Sequence, residues 1–402
     1  MKPSLRLTGR HLTELNQRLK AGDKPRLLHG MRNRAGAPIH TVRGFASADE
    51  SGLLCGTSES VSHPAATGWL HVHEDGALSG GVHDHGTKVP FERISVAGDD
   101  LLFWGAEANV RHELAANTRN VQAFGEGTIR RLGGLSIAVV GCSGLGFPLA
   151  QALAGQGAGR LVLVDPETIE EVNLNRLPCS TLDDVGMLKV ERLAQLLSSS
   201  AFRPEVVPLA NSILTDRRTA LEIAECDVIF GCLDSVEARH FLNRLAAVYC
   251  IPYFDLGVCL GADGKGGVST ACGSVHYVQP DGSSLLSRGV YDMQALQDEG
   301  LRRTDPAEFT RRQAEKYVRG AQEKRPTVLP LNMAVAGLAV MEFMARLHPF
   351  RTKPNAEFAG QCLSFQHGMI DSDPDGASCA SLSALCGCGD ISPFLGLPSF
   401  SV

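Results

Sequence analysis

Long hydrophobic runs are missing from this sequence. The longest, 328–341, is interrupted by Pro330 and Asn332 and falls short of the about 20 apolar residues that a bilayer-spanning helix needs. The start, MKPSLRLTGRHL, lacks the apolar stretch of a secretory leader. A surplus of positive charge is also absent: 38 Lys and Arg against 44 Asp and Glu give a net charge of -6, which argues against nucleic acid or another polyanion as partner. The 12 cysteines follow no regular spacing, and several lie inside apolar runs (VVGCSG, IFGCLD), where a thiol behaves as a small hydrophobe. Repeats and low-complexity tracts do not occur. The expected setting is a reducing cytoplasm, with no membrane and no disulfide framework.

What is present is globular: 44% hydrophobic and 20% charged residues in 402, enough for two or three domains at about 150 residues each. A boundary is expected near 105–111. Before it, 68–82 reads as a hairpin turning at Asp75-Gly76, so 1–107 should be a small α/β or mostly β domain. From Leu135 buried strands alternate with helices. LSIAVVG is a central strand, FPLAQALAGQGAG a helix with a glycine stop, and RLVLVDP the next strand. Helices at 188–198, 217–225 and 235–248 then alternate with strands at 205–209, CDVIFGCLD and IPYFDLG. The pattern predicts an α/β fold over 108–350, a Rossmann-like doubly wound and mostly parallel sheet. Residues 282–327 read as loop plus helix, and 331–347 as an apolar helix. The segment 351–402 reads as a polar tail.

The turn Gly141-Cys142-Ser143-Gly144-Leu145-Gly146 follows a strand and opens a helix, so its backbone amides can face phosphates. Asp165 ends the second strand, where a carboxylate accepts from ribose hydroxyls, with Glu167 just beyond it. Those features alone describe a dinucleotide dehydrogenase equally well. Downstream, Asn173, Arg176 and Lys189 follow the acid, and Asp234 ends a later strand. Hydride transfer needs no such set. Adenylation does: cations neutralise departing pyrophosphate, and a carboxylate holds Mg²⁺ against it. The rivals are an NAD-dependent oxidoreductase and a nucleotide-binding scaffold.

The series VVGCSGLG, LVLVDPETIEEVNLNRL, VGMLKVERL, IFGCLDSVEARHFLN and PLNMAVAGL resembles the ThiF/MoeB and ubiquitin-activating-enzyme superfamily over roughly 119–347. The resemblance implies that Gly141, Ser143, Gly144 and Gly146 bind ATP phosphate and that Asp165 holds the ribose, with Glu167 also among the cofactor-binding residues. It implies that Asn173, Arg176 and Lys189 contact phosphates, that Asp234 handles Mg²⁺, and that Arg119 reaches the ATP site of a partner subunit in a homodimer. Three positions depart from the pattern. Ser143 stands where glycine is usual and Leu177 where glutamine is common. DGSSLLSRG takes the place of the first of two CxxC zinc motifs, so zinc is left open. The segments GSVHYVQPDGSSLLSRGVYD and GDISPFLGLP look like bacterial activating enzymes with an N-terminal domain related to JAB/MPN peptidases, from ubiquitin-like conjugation operons linked to antiphage defence. The implied substrate is the C-terminal carboxylate of a ubiquitin-like protein, and the implied receiver a conjugating enzyme. A sulfur-carrier or peptide adenylyltransferase is the alternative within the class.

His71, His73, His83 and His85 invite a metal reading, because neighbours two apart on a strand share a face. A JAB-type metal site also needs Ser and Asp at set spacing, and Ser79 and Asp84 do not keep it, so this domain is expected to be catalytically silent. For capture of the acyl group as a thioester, Cys379 in DSDPDGASCAS is the preferred nucleophile, as part of an accessible tail. Cys142 and Cys232 are expected to be buried and Cys179 to lie near the site. Cys386 and Cys388 are the further tail thiols, short of a four-ligand zinc set.

Overall fold

The structure, a computed structural model, describes residues 3–32, 38–45, 51–56, 67–105, 115–263, 265–314 and 327–397. Among the described residues, its first unit is one helix on a nine-stranded sheet. The elements are β1 (Ser4–Thr8), α1 (Gly9–Lys20), β2 (Arg26–Arg32), β3 (Ile39–Phe45), β4 (Leu53–Gly56), β5 (Gly68–Val72), β6 (Leu78–Asp84), β7 (Thr87–Pro90), β8 (Arg93–Ala97) and β9 (Leu101–Gly105). The sheet order is β7-β6-β5-β4-β2-β3-β1-β8-β9. The expected hairpin is there: β5 and β6 pair antiparallel, Gly76 takes φ +84°, and Asp75 accepts from the Ala77 amide at 2.9 Å. α1 starts where Thr8 Oγ1 accepts from His11 N at 3.2 Å, satisfying a helix-end amide. Leu5, Leu7, Leu15, Leu27 and Val42 form the core between helix and sheet.

The second unit begins with α2 (Thr118–Gly133), kinked at Gly125. Then come β10 (Ser136–Val140), α3 (Gly146–Gln156), β11 (Arg160–Val164), α4 (Lys189–Ser199), β12 (Glu205–Leu209), α5 (Arg217–Ala224), β13 (Val228–Gly231), α6 (Val236–Val248) and β14 (Tyr253–Ala262). The chain continues through β15 (Val268–Val278), α7 (Met293–Thr304), α8 (Pro306–Ala314), α9 (Leu329–Leu347), β16 (Gly360–Ser364), β17 (Met369–Asp373) and α10 (Ala380–Ser383). The sheet runs β12-β11-β10-β13-β14-β15-β16-β17, with the first five strands parallel and the rest antiparallel. Side chains of α3, α4 and α9 cover one face; those of α5 and α6 cover the other. Strand order reverses between β11 and β13 around β10, which opens a crevice beyond their carboxyl ends.

The doubly wound half ends at β14, the IPYFDLG strand, as expected, and β15–β17 extend it as an antiparallel sheet that local pattern did not announce. Two expectations need correcting. The described part of the expected tail, residues 351–397, is not free: β16 and β17 complete the main sheet, and Gly387 and Gly389 donate to Ala247 and Val248 carbonyls at 3.0 and 3.1 Å. The apolar run at 328–341 continues to Leu347 as a 19-residue helix, long and apolar enough to cross a bilayer by length and composition. Twelve of its residues are buried, and it packs on α3, β14 and β15. It is a core helix.

Candidate nucleotide site

The crevice is built from strand ends held in register. Gly141 N donates to Val164 O at 2.8 Å and Cys232 N to Val140 O at 2.7 Å, so the ends of β10, β11 and β13 lie side by side. Gly141 takes φ +91°, and a Cβ there would press on the Cys232 carbonyl, so only glycine makes this turn without strain. A Cβ on Gly146 would run into the Gly141 carbonyl, which lets α3 begin directly beneath the turn. Ser143 O accepts the first α3 bond, from Phe147 N at 2.9 Å. Asp165, 5% exposed, accepts from Cys142 N at 2.8 Å and Glu167 N at 2.9 Å, which fixes its carboxylate beside the turn. Burial raises its pKa above the ordinary aspartate value, opposed by Lys189 and those two amides.

The loop after β11 folds back so that α4 starts at the same edge. Lys189 N donates to Glu167 O at 3.0 Å, and its ammonium, 3% exposed, pairs with the Glu167 carboxylate. Asn173 is buried and accepts from Glu170 N at 3.2 Å, closing the turn that carries Arg176. Arg176 donates to Val172 O at 2.8 Å, and its Cδ lies 3.0 Å from where a Gly144 Cβ would sit. Leu177, in place of the usual glutamine, is buried in the core under α9. Asp234 is exposed just past β13, ahead of Ser235, which caps α6. The structure therefore brings the glycine turn, Asp165, Glu167, Asn173, Arg176, Lys189 and Asp234 to one edge.

Sequence reasoning overlooked two parts of this edge. Asn332 on α9 is 1% exposed, has no partner for either amide atom, and occupies the space a Gly144 Cβ would need. Such a buried amide is open to a hydrogen bond from a bound ligand or an ordered water. Its signal lay in PLNMAVAGL, where a polar residue interrupts an apolar helix. The second part is Asp255 on β14, fully buried, accepting from Tyr253 Oη at 2.7 Å and paired with Arg239 at 3.4 Å. Arg239 also donates to Leu233 O and Leu256 O, at 3.0 and 3.2 Å, tying the Asp234 loop to β14.

A family model described as the ThiF family matches residues 115–371, more than half of the sequence. The chain belongs to the ThiF family. Adenylyltransferase and sulfurtransferase MOCS3 of Sus scrofa is 40% identical over 114 residues, 28% of this chain and 25% of that protein. Its namesake in Drosophila grimshawi is 34% identical over 145 residues, 35% and 31% of the two chains. The chain thus spans less than a third of the length of these curated relatives. A crystal structure of E. coli MccB with AMPCPP and SeMet MccA shares the fold, with TM-score 0.52 and 19% identity over 71% of this chain and 77% of that one.

Two residues of the ThiF-family reading stand away from the edge. Arg119 is exposed on α2 and donates to Gln122 at 2.8 Å, while neighbouring Asn120 donates to Gly155 O near the end of α3. α3 has 11 residues, so about 15 Å separate that end from the glycine turn. Cys379 is 4% exposed and packs with Ala247 and Leu382, which corrects its placement in an accessible tail. Its amide donates to Gly282 O, just past the end of β15, where Val278 pairs with the first residue of β14. That is the amino end of the parallel strands, opposite the nucleotide edge. Burial raises the Cys379 thiol pKa, but hydrogen bonds from Ser284 and Ser381 and the amides of Ser381 and Leu382 bring it below the ordinary value. The acidity serves no chemistry at the glycine turn. Cys142 is buried as expected, Cys232 is half-buried and Cys179 is exposed.

In the first unit, the His71 and His73 rings lie 4.3 Å apart, and His73 meets Ser79 at 2.8 Å. Among the described residues no group of three or more His, Cys, Asp or Glu side chains is placed to hold a metal ion. Asp234 is an exposed carboxylate at the nucleotide edge, and Mg²⁺ needs only one or two carboxylates when phosphate oxygens and water complete its shell.

Proposed function

We propose that this protein uses ATP to adenylate the C-terminal carboxylate of a small ubiquitin-like protein. The observation that carries the reading is the convergence of Arg176 and the unpartnered Asn332 amide on Gly144, opposite buried Asp165. Asp165 accepts from the ribose, and the 143–146 amides face the phosphates at the start of α3. A substrate carboxylate oxygen attacks the α-phosphorus; the bond to the bridging oxygen breaks, and pyrophosphate leaves with its electron pair. Arg176 and Lys189 neutralise that leaving charge, and because they are preset by Val172 and Glu167 they need little reorganisation. Asp234 would hold Mg²⁺, which supplies Lewis-acid charge on the phosphates. Arg119 reaches the second copy's site in a homodimer. The acyl-adenylate then passes to a thiol, and a conjugating enzyme receives the acyl group, in the setting of a cytoplasmic antiphage operon.

The test is ATP–pyrophosphate exchange with a ubiquitin-like protein bearing a free C-terminus. Exchange is expected, and it should vanish when that terminus is an amide. Exchange that persists with the blocked terminus sinks the reading. The name adenylyltransferase and sulfurtransferase favours a second reading, adenylation without a thioester. A reductant-labile adduct in non-reducing intact-mass spectra separates the two.

A further inference from the structure

Three cysteines share one face of the antiparallel extension. Cys259 on β14 pairs with Cys272 on β15, and Cys362 on β16 pairs with Ser274, two residues along from Cys272. Side chains two apart on a strand point the same way, and directly paired residues share a face, so all three sulfurs gather on one surface. That surface is the α6 side: Gly273, between Cys272 and Ser274, faces the opposite way, against Val335 of α9. Cys272 is hydrogen-bonded to Cys259 and feels the sulfur of Cys362. Cys362 is exposed, and the other two are partly open.

The face adjoins the nucleotide edge. Gly231 is level with Asp255, and Arg239 bridges Leu233 O to Leu256 O, so the loop carrying Asp234 lies against β14 at Leu256–Gly257. Cys259 stands two residues further along that strand, about 7 Å on. Resting on the adenylation reading, we infer that this thiol face, with Cys259 as nucleophile, receives the acyl group from the adenylate. The Cys259 sulfur attacks the acyl carbonyl carbon. The carbon–oxygen bond to phosphate breaks, AMP leaves with the electron pair, and the thiol proton passes to water. Cys272 is suited to remain the donor, because burial and the adjoining sulfurs raise its thiol pKa. The Cys362 sulfur then attacks that thioester carbon, the bond to the Cys259 sulfur breaks, Cys259 regains a proton as Cys362 gives one up, and the acyl group is handed on from exposed Cys362.

The probe is a Gly-Gly vinyl sulfonamide of adenosine, an adenylate mimic that adds covalently to a nearby thiol, applied to the full chain and read by intact mass and peptide mapping. One adduct on Cys259 is expected, displaced by excess ATP, lost in Cys259→Ser and retained in Cys379→Ser and Cys179→Ser. In Cys362→Ser the adduct on Cys259 should persist. A probe that ATP displaces but that labels only Cys179 or Cys379, or no cysteine, overturns the thiol assignment and leaves adenylation standing. A probe that ATP does not displace overturns both.

Discussion

Arg176 and Lys189 are held by opposite means. The guanidinium is fixed by its own turn through Val172 O, while the ammonium is buried and answered by an exposed carboxylate, Glu167. Removing one preset charge donor from a transition state typically lowers turnover by about 10²–10³-fold. Arg176→Ala should therefore reduce ATP–pyrophosphate exchange by about that factor, with unfolding in urea unchanged because its contacts are local. A drop in stability as large as the drop in rate would make it structural instead. A second residue-scale consequence concerns His40, which is buried against His29 and held at a pKa of about 4 by burial and then by its neighbour. The unfolded chain takes up a proton near 6.5 that the folded one refuses until about 4. The stabilisation is whole above 6.5 and lost as pH falls, by about 3 kcal/mol. Urea midpoints compared at pH 7 and pH 4 should show this loss, and His40→Leu should flatten it.

At the scale of elements, the glycine turn couples binding to packing. Gly146 lets α3 start directly under the Gly141 carbonyl, and that closeness aims the helix's first amides into the crevice. Gly146→Ala must separate strand from helix, and overpacking of this kind costs about 1–3 kcal/mol. Urea denaturation should register that loss together with weaker ATP binding; an unchanged midpoint would show that the turn gives way freely. The strand–turn–helix unit was legible in the sequence, because VVGCSGLG, the buried runs and the glycine stop at Gly157 are all local signals. The extension β15–β17 was not. Its strands come from distant stretches, and β17 is exposed throughout, so no hydrophobic alternation announced it.

Across the whole molecule the two sheets are joined by a buried cation. Arg6, 4% exposed on β1, donates to the carbonyls of Ala224, Cys226, Glu225 and Tyr249 at 2.8 to 3.3 Å, at the ends of α5 and α6. Both tryptophans, Trp69 and Trp104, lie in the first sheet, so their fluorescence follows that unit alone. Arg6→Ala should lower the fluorescence midpoint in urea by the equivalent of about 2–3 kcal/mol. The far-UV circular dichroism transition, dominated by the second unit, should then occur later. Coincident transitions in the variant would show that Arg6 is not what couples the units.

The sequence by itself determined the alternating strands and helices, the glycine turn, and the order of acid and cations that meet above it, because each is written in a run of neighbouring residues. Only the tertiary structure decided that Asn332 is orphaned against Gly144, that Cys379 is sealed at the far end of the sheet, and that Cys259, Cys272 and Cys362 share one face. Those outcomes depend on strand register and helix docking between segments far apart in the chain, and no local pattern specifies such pairings.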